Sequence, residues 1–218
     1  MKKLVLILVT LLMSNSMNGQ ETMKKIHLKE GASIFEYNDL KFDVLLQVYD
    51  EKAASHLIGE LNCRIQKSGD KVADFYMDND ASTREYLTKI YKNYFLTFKI
   101  ENDNKFLIIE QAKLGKAFAL SSKETCIIGE KDDVIELEIT DYIHESGDNS
   151  PLDTGESSSW NDVQYTLRAK VNDVEKIIGF YSSEIKGNYT IEIEGYRIQI
   201  LSDQYKDSYS LLEMMVNK

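Results

Sequence analysis

Segments of the first half of this chain reappear, in the same order, in the second half. The longest match pairs Asn38–Asp50 (NDLKFDVLLQVYD) with Asp133–Glu145 (DVIELEITDYIHE). The other matches are Asp74–Tyr76 with Gly179–Tyr181, Tyr86–Ile90 with Tyr189–Ile193, Tyr94–Phe98 with Tyr196–Ile200, and Phe106–Glu110 with Tyr209–Glu213. The offset stays between about 95 and 105 residues, the length of a small domain. We therefore predict two tandem domains related by internal duplication, at 20–118 and 119–218.

Residues 1–19 have the plan of a secretory signal peptide. Met1-Lys2-Lys3 is positively charged, Leu4–Met13 is almost wholly apolar, and Ser14–Gly19 is small and polar. The apolar run is shorter than the ~20 residues that a membrane-spanning helix needs. No second apolar stretch of spanning length follows. We expect an exported protein, periplasmic or extracellular, with no membrane span once the leader has been cleaved.

The net charge of the chain limits its partners. It carries 26 Lys and Arg against 36 Asp and Glu, a formal charge of −10. Loss of the leader with its two lysines makes this −12. Because such a chain repels nucleic acid and anionic lipid, we expect no nucleic-acid partner, and a charged partner should be cationic.

Alternating apolar and polar residues predict half-buried strands. Every second residue from Leu40 to Leu46 is apolar, as are Ile135, Leu137 and Ile139. Further strands are predicted at Val163–Val171, Val174–Ser182, Tyr189–Glu194, Tyr196–Leu201 and Tyr209–Val216, with a polar connection at Ser202–Asp207. Short strands separated by Gly, Asn and Asp are typical of antiparallel meanders. We predict an all-β fold of two antiparallel β-sandwich or barrel-like domains.

The segment Asp80–Tyr94 fits two elements. Ser82 and Glu85 have the spacing of a capping box, and the apolar residues that follow fit a helical stripe. The matching segment of the second half, Asn188–Tyr196, is strongly strand-like. The repeat therefore favours a strand–turn–strand with the turn at Lys92-Asn93.

The segment Tyr142–Asp162 differs most between the two halves. It is acidic, contains no Lys or Arg, and holds the only proline and the only tryptophan of the chain. Its candidate binding residues are Asp148, Asp153, Glu156 and Trp160. Three interpretations compete: a Ca²⁺ loop, whose spacing fits no EF-hand; a site for a cationic or sugar partner; and a solvated loop with Trp160 packed into the core, as a large aromatic at a strand start usually is. We expect no metal.

Three motifs of the second half follow a known order: Ser150-Pro151, Ser158–Trp160 and Gly195-Tyr196. Over Lys123–Lys218 they resemble the Cys-Pro, Cys-x-Trp and Gly-Tyr hairpin of a family of small secreted β-domains from Gram-negative bacteria. Serines replace both loop cysteines here, so the loop has no disulfide to hold it. The resemblance implies a β fold and export; the family's function is uncharacterised.

The two cysteines, Cys63 and Cys126, lie at non-equivalent positions in different halves. An exported protein can form disulfides, and a bridge here would tie the halves together if the Cα atoms come within about 7 Å. The alternative is two buried thiols that behave as small apolar side chains.

Residues that could carry catalysis are sparse in the sequence. The three histidines, His27, His56 and His144, have no metal-ligand spacing, and no nucleophile, phosphate-loop or dinucleotide motif occurs. The thirteen tyrosines could form an aromatic binding face or, as we favour, ordinary cross-strand pairs. We expect no enzymatic activity and no cofactor.

These observations together predict an exported, non-enzymatic binding module of a Gram-negative envelope or secretome. Its partner would be an unknown protein or glycan, bound by the acidic loop or by a groove between the domains. The alternative is an inhibitor or immunity-type protein that blocks an enzyme with the loop 142–162.

Overall fold

In the computed structural model, the described residues are 23–49, 58–80, 86–130, 133–148, 159–186, 189–206 and 208–218. They are nearly all β, with one four-residue helix, α1 (Ser182–Ile185). The strands of the first half are β1 (Met23–Leu28), β2 (Gly31–Tyr37), β3 (Leu40–Tyr49), β4 (Ile58–Lys67), β5 (Ala73–Asp78), β6 (Lys89–Tyr91), β7 (Tyr94–Glu101) and β8 (Asn104–Gln111). The strands of the second half are β9 (Ala117–Ser121), β10 (Thr125–Glu130), β11 (Asp133–Asp148), β12 (Ser159–Val171), β13 (Val174–Tyr181), β14 (Thr190–Ile193), β15 (Tyr196–Lys206) and β16 (Tyr209–Asn217).

One eight-stranded sheet runs through both halves in the order β1-β8-β7-β6-β9-β16-β15-β14. Its neighbours are antiparallel except at the junction of the halves, where β6 and β9 run parallel. There the amide of Ala119 donates to the carbonyl of Thr88 at 2.7 Å, and the amide of Ile127 on β10 donates to Lys92 at 2.9 Å. The predicted halves therefore share a continuous sheet.

Two four-stranded meanders, β2-β3-β4-β5 and β10-β11-β12-β13, complete the fold. They pack on opposite faces of the long sheet. Cross-strand partners point to the same face of a sheet. The pair Ile90 and Phe95 belongs to the core of the second half, whereas Tyr91 and its partner Tyr94 pack in the core of the first. These layers confirm the all-β prediction; none of the sheets of described residues closes into a barrel.

The alternation of apolar and polar residues along the strands correctly predicts which side chains form the core. Leu40, Phe42, Val44 and Leu46 are at most 1 % exposed and face β7 and β8, with Leu96 and Leu107 across from them. In the second core, Ile135, Leu137 and Ile139 are at most 3 % exposed, as expected. Each such side chain contributes about 1.5–3 kcal/mol by leaving water.

The segment Asp80–Tyr94 fitted both a helix and a strand–turn–strand in the sequence, and the structure has strands and a turn there. Over its described residues, β6 and β7 are joined by Lys92 and Asn93, and Lys92 has a φ of +54°. The strand–turn–strand prediction is confirmed there. Ser82 and Glu85 lie outside the described residues.

Two predicted connections are wrong in their bounds. The polar segment Ser202–Asp207 was expected to link strands, but β15 continues through it to Lys206, after a bulge between Ile200 and Ser202. Two of its polar side chains have partners that offset burial: Ser202 Oγ donates to Glu213 at 2.7 Å, and Asp203 accepts from the Tyr165 hydroxyl at 2.9 Å. The loop predicted at Tyr142–Asp162 is shorter, because β11 extends to Asp148 and β12 begins at Ser159.

The cysteines are not bridged. Cys63 is a free, buried thiol in the first core, and Cys126 is a free, buried thiol in the second. Because the two cores lie on opposite faces of the long sheet, the possible disulfide is not formed and the buried-thiol alternative holds. Burial raises the pKa of both thiols.

The predicted leader, residues 1–19, lies outside the described residues. Among the residues that are described, no helix has the length and apolar character needed to cross a membrane.

Candidate binding groove

A groove of about 1110 Å³ lies where the two halves meet. One wall is residues 70–76, which comprise the turn before β5 and most of that strand. The opposite wall is residues 123–127, the turn between β9 and β10 with the start of β10. The floor includes Tyr91, Ala119 and Leu211 of the long sheet.

The groove follows from the arrangement of the sheets. The first meander ends at its edge strand β5, but the long sheet continues past it through β9 and β16. The second meander covers those strands on the other face. No sheet of described residues therefore covers the face of β9 and β16 beside β5, and the groove occupies that position.

Exposed apolar side chains line the rim of the groove. Leu45 on β3 is 43 % exposed, Val72 before β5 is 45 % exposed, and Ile127 on β10 is 40 % exposed. Apolar surface gains about 25 cal/mol for each Å² that leaves water. Because these three side chains from different elements converge on one groove, an occupant could cover all of them at once.

The charges of the groove differ from those of the chain as a whole. Its lining holds five basic and four acidic side chains, in a protein with a formal charge of −10. Lys92 pairs with Asp70, and Arg64 Nε lies 2.9 Å from Asp74 Oδ1. Lys71 and Lys123 form no ion pair with a described residue, although Lys123 Nζ lies 5.2 Å from the ring centroid of Tyr209.

Glu124 lies in the turn between β9 and β10 at the groove wall. Burial raises the pKa of its carboxyl to about 7, although the ammonium of Lys92 acts in the opposite direction. The charge of the groove therefore changes near neutral pH.

Tyr91 lies under the groove and is 1 % exposed. Its ring contacts Phe75 edge-on at 6.0 Å between centroids. Its hydroxyl lies near the backbone of Lys67, but it forms no hydrogen bond of normal geometry with a described residue. Burial raises the pKa of Tyr91, so the hydroxyl stays protonated. A buried hydroxyl without a partner costs about 1–3 kcal/mol.

Cys63 also borders the groove, but the residue is only 2 % exposed. The raised pKa keeps the sulfur protonated, and a protonated thiol is a poor nucleophile. Its role is packing against the first core.

The residues predicted from the acidic loop lie elsewhere. Trp160 is on β12, opposite Gly147 of β11, and does not line the groove. Asp148 ends β11, while Asp153 and Glu156 lie outside the described residues. In the part of the chain that the structure describes, no cluster of three His, Cys, Asp or Glu could hold a metal ion.

The interpretation that packed Trp160 into the core is wrong, since 41 % of the residue is exposed. Its indole lies across the backbone of Gly147, where an added Cβ would stand 2.4 Å from the indole Nε1. A glycine opposite the ring lets it lie flat on the sheet, so packing against the strand replaces packing in the core.

The tyrosine contacts support the structural alternative in part. Tyr165 stacks on Phe180, its cross-strand partner. Tyr37 contacts Tyr94 of a different sheet, and Tyr189, which precedes β14, also stacks on Phe180.

The sequence contains a weak indication of the groove. Leu45 and Ile127 are apolar at positions where the alternation requires polar residues, beside the buried Val44 and Ile128. The groove itself combines residues from seven strands, so no local motif reveals it. Comparison with protein-family models, with curated proteins and with solved structures finds no match for this chain.

Proposed function

We propose that this protein is an exported, non-enzymatic binding module whose binding surface is the groove between its halves. The observation that carries the proposal is the groove itself, with Leu45, Val72 and Ile127 exposed together on its rim. Apolar side chains grouped in a concavity are typical of interaction sites. Export is supported by the leader pattern of residues 1–19.

The non-enzymatic part of the proposal is supported by the groups in the groove. Its one thiol is buried and protonated, and two of its basic side chains are held in ion pairs with Asp70 and Asp74. A buried, protonated thiol and basic side chains held in ion pairs contribute to the shape and charge of a surface, but they are not available for reaction. The partner would be a protein or a glycan of the envelope or of the surroundings of a Gram-negative bacterium.

The two halves, 20–118 and 119–218, would descend from one duplicated unit. The support is topological: each half contributes four strands to the long sheet in the same order and one four-stranded meander. The matching sequence segments fall on strands at the same place in each half, such as β7 with β15 and β8 with β16. We infer that the groove arose where the two copies were joined.

A capture experiment tests the binding function. The immobilised protein is incubated with an envelope extract at low and high salt, beside the variant Ile127→Glu and the matched control Ile177→Glu. Ile177 is 66 % exposed on β13, away from the groove. We expect wild type and I177E to retain the same partner and I127E to lose it. Capture that is equal on all three, or absent from all three, would rule out the groove as the binding surface.

A second candidate function is an inhibitor that inserts the β11–β12 hairpin into an enzyme's cleft. It is favoured by the length of that hairpin. β10 pairs only as far as Glu138 of β11, and β13 begins to pair only at Gln164 of β12. The hairpin therefore extends beyond both neighbouring strands, with Ile143 and Trp160 exposed. If deletion of 146–158 leaves all partner binding intact, this alternative fails.

A further inference from the structure

The last strand of the second meander, β13, is an exposed edge. It pairs with β12 alone, from Val174 to Tyr181 and without a register shift. Apart from the Tyr181 amide, which donates to the Glu184 carboxylate at 2.6 Å, no main-chain group of β13 bonds to a described residue outside that ladder. Five of its eight residues are exposed. An edge of this kind offers a row of N–H and C=O groups that can pair with another strand.

β13 lacks the usual protections of an edge strand. Such strands are commonly shielded by proline, by a bulge or by a lysine that projects past the edge. β13 contains no proline, and its ladder with β12 has no bulge. Its one lysine, Lys176, is directed at the long sheet, where its Nζ donates to the Glu192 carbonyl at 3.0 Å. Within the described structure, the edge is therefore free to pair with a strand of another molecule.

The register of the β12–β13 hairpin determines which groups face the open side. Val171 and Val174 flank a two-residue turn, and residues in that position exchange hydrogen bonds across a hairpin. Because bonded and non-bonded pairs alternate along an antiparallel ladder, the main-chain groups of Glu175, Ile177 and Gly179 point away from β12. Three residues with Ile177 at their centre therefore offer their amides and carbonyls to the open side.

The side chains of this edge are apolar at its centre and balanced in charge. Ile177 is 66 % exposed, and Val174 is 43 % exposed. β13 carries one acid and one base, Glu175 and Lys176, in a chain with a formal charge of −10. Arg168 also lies beside Glu175, with Nη1 3.5 Å from a carboxylate oxygen. The edge is therefore neutral, although the chain as a whole is acidic.

The strand complements itself about a twofold axis. With the axis normal to the sheet beside Ile177, the Ile177 residues of two copies face each other, and Glu175 of one copy lies opposite Gly179 of the other. All three outward residues then form bonded pairs, with about six hydrogen bonds in total, because each such pair exchanges two. Lys176 would lie opposite Ile178, so no like charges stand directly opposite each other. A second copy of the chain therefore matches every outward group of this edge.

The outer edge of the first meander, β2, fits a second copy less well. It carries one acid, Glu36, and no base, and three of its seven residues are exposed. Its central isoleucine, Ile34, is 67 % exposed, nearly the same as Ile177. Substitutions at Ile34 therefore give a matched control for substitutions at Ile177.

We propose that two copies of this protein associate through β13, antiparallel about a twofold axis at Ile177, so that their second meanders form one continuous sheet. The inference does not rest on the proposed function, because Ile177 does not line the groove.

Sedimentation velocity of the purified protein over a range of concentrations tests the association. We expect wild type to sediment with twice the mass of one chain. I177E and I177K should each raise the dissociation constant at least about tenfold, because like charges would meet at the axis. An equal mixture of I177E and I177K should dimerise again, since opposite charges then face each other. I34E and I34K, alone or mixed, should sediment as wild type does.

Hydrogen exchange of wild type locates the contact. Between low and high protein concentration, amide exchange within 175–179 should slow about tenfold or more, because the outward amides bond to the second copy. The proposal is overturned if wild type is monomeric at every concentration, if I34E dissociates the dimer, if the mixture of I177E and I177K stays monomeric, or if the slowed amides lie outside β13. Circular dichroism establishes that each variant keeps its fold, and the exchange measurement decides the question even where a variant does not.

The dimer and the binding groove fail separately. I127E should lose the captured partner and remain a dimer, whereas I177E should keep the partner as a monomer. A monomeric wild type that still captures its partner through Ile127 would remove the dimer alone. Equal capture by every variant, beside a dimer that depends on Ile177, would remove the groove alone.

Discussion

At the scale of single residues, the contact between Trp160 and Gly147 gives a clear spectroscopic prediction. Gly147→Ala would place a methyl group 2.4 Å from the indole nitrogen, so the ring must move off the sheet into water. Because Trp160 is the only tryptophan, its fluorescence emission should shift to the red in this variant. Gly179→Ala is the matched control, since that strand glycine has no atom closer than 3.9 Å to an added Cβ. An unchanged emission in G147A would contradict the contact.

Glu124 gives a prediction about pH. Its folded-state pKa of about 7 exceeds the ordinary value of 4.5, so the folded protein holds this proton more tightly than the unfolded chain. The stability contributed by Glu124 is therefore present at low pH and is lost as the pH rises from about 4.5 through 7. We expect Glu124→Gln, which cannot ionise, to raise the urea midpoint relative to wild type at pH 8 and to change it little at pH 5. The exposed Glu130→Gln should show no such difference between the two pH values.

At the scale of elements, the hairpin between β14 and β15 contains a correctable strain. Its two turn residues, Glu194 and Gly195, both have positive φ, +45° and +80°. Glycine adopts this conformation freely and asparagine tolerates it, whereas for glutamate it is a strained conformation. We expect Glu194→Asn to stabilise the fold by about 0.5–1 kcal/mol, measured by urea denaturation. The same change at Glu192, within β14, should stabilise nothing, because asparagine disfavours strands.

The elements could be predicted from the sequence where a local rule governs them. Alternation identified β3 and β11, and the repeat identified the turn at Lys92-Asn93 against a plausible helix. The parallel join of β6 and β9 could not be predicted, since it involves a single residue pair, Lys89 with Ala119, and depends on tertiary packing. The groove was foreseen only as a gap between domains. Its lining depends on which face of the long sheet each meander covers, and no local pattern encodes that choice.

At the scale of the whole molecule, the shared sheet predicts cooperative unfolding. Phe95 belongs to the first half but is fully buried in the second core, with its ring 5.5 Å from that of Phe118. We expect Phe95→Ala to cost about 3–5 kcal/mol and to destabilise both halves together. The milder Phe95→Leu serves if the alanine variant does not fold.

The measurement compares two probes during urea denaturation. Fluorescence of Trp160 reports the second half, and far-ultraviolet circular dichroism reports both. In wild type and in the leucine variant, the two curves should coincide and shift together. Separate transitions, with only the dichroism affected by the substitution, would show that the halves unfold independently.

The parallel join between β6 and β9 has a consequence for growth of the sheet. The outermost strands of the long sheet, among the residues that the structure describes, are β14 and β1, which hold the same places in their halves as β6 and β9 hold at the join. A further unit could therefore attach to β14 as β9 attaches to β6, and the same geometry would be available again at its far end. Such head-to-tail joining has no built-in closure, unlike a twofold dimer. β14 has four residues and β6 has three, so the length of the edge alone does not prevent that extension.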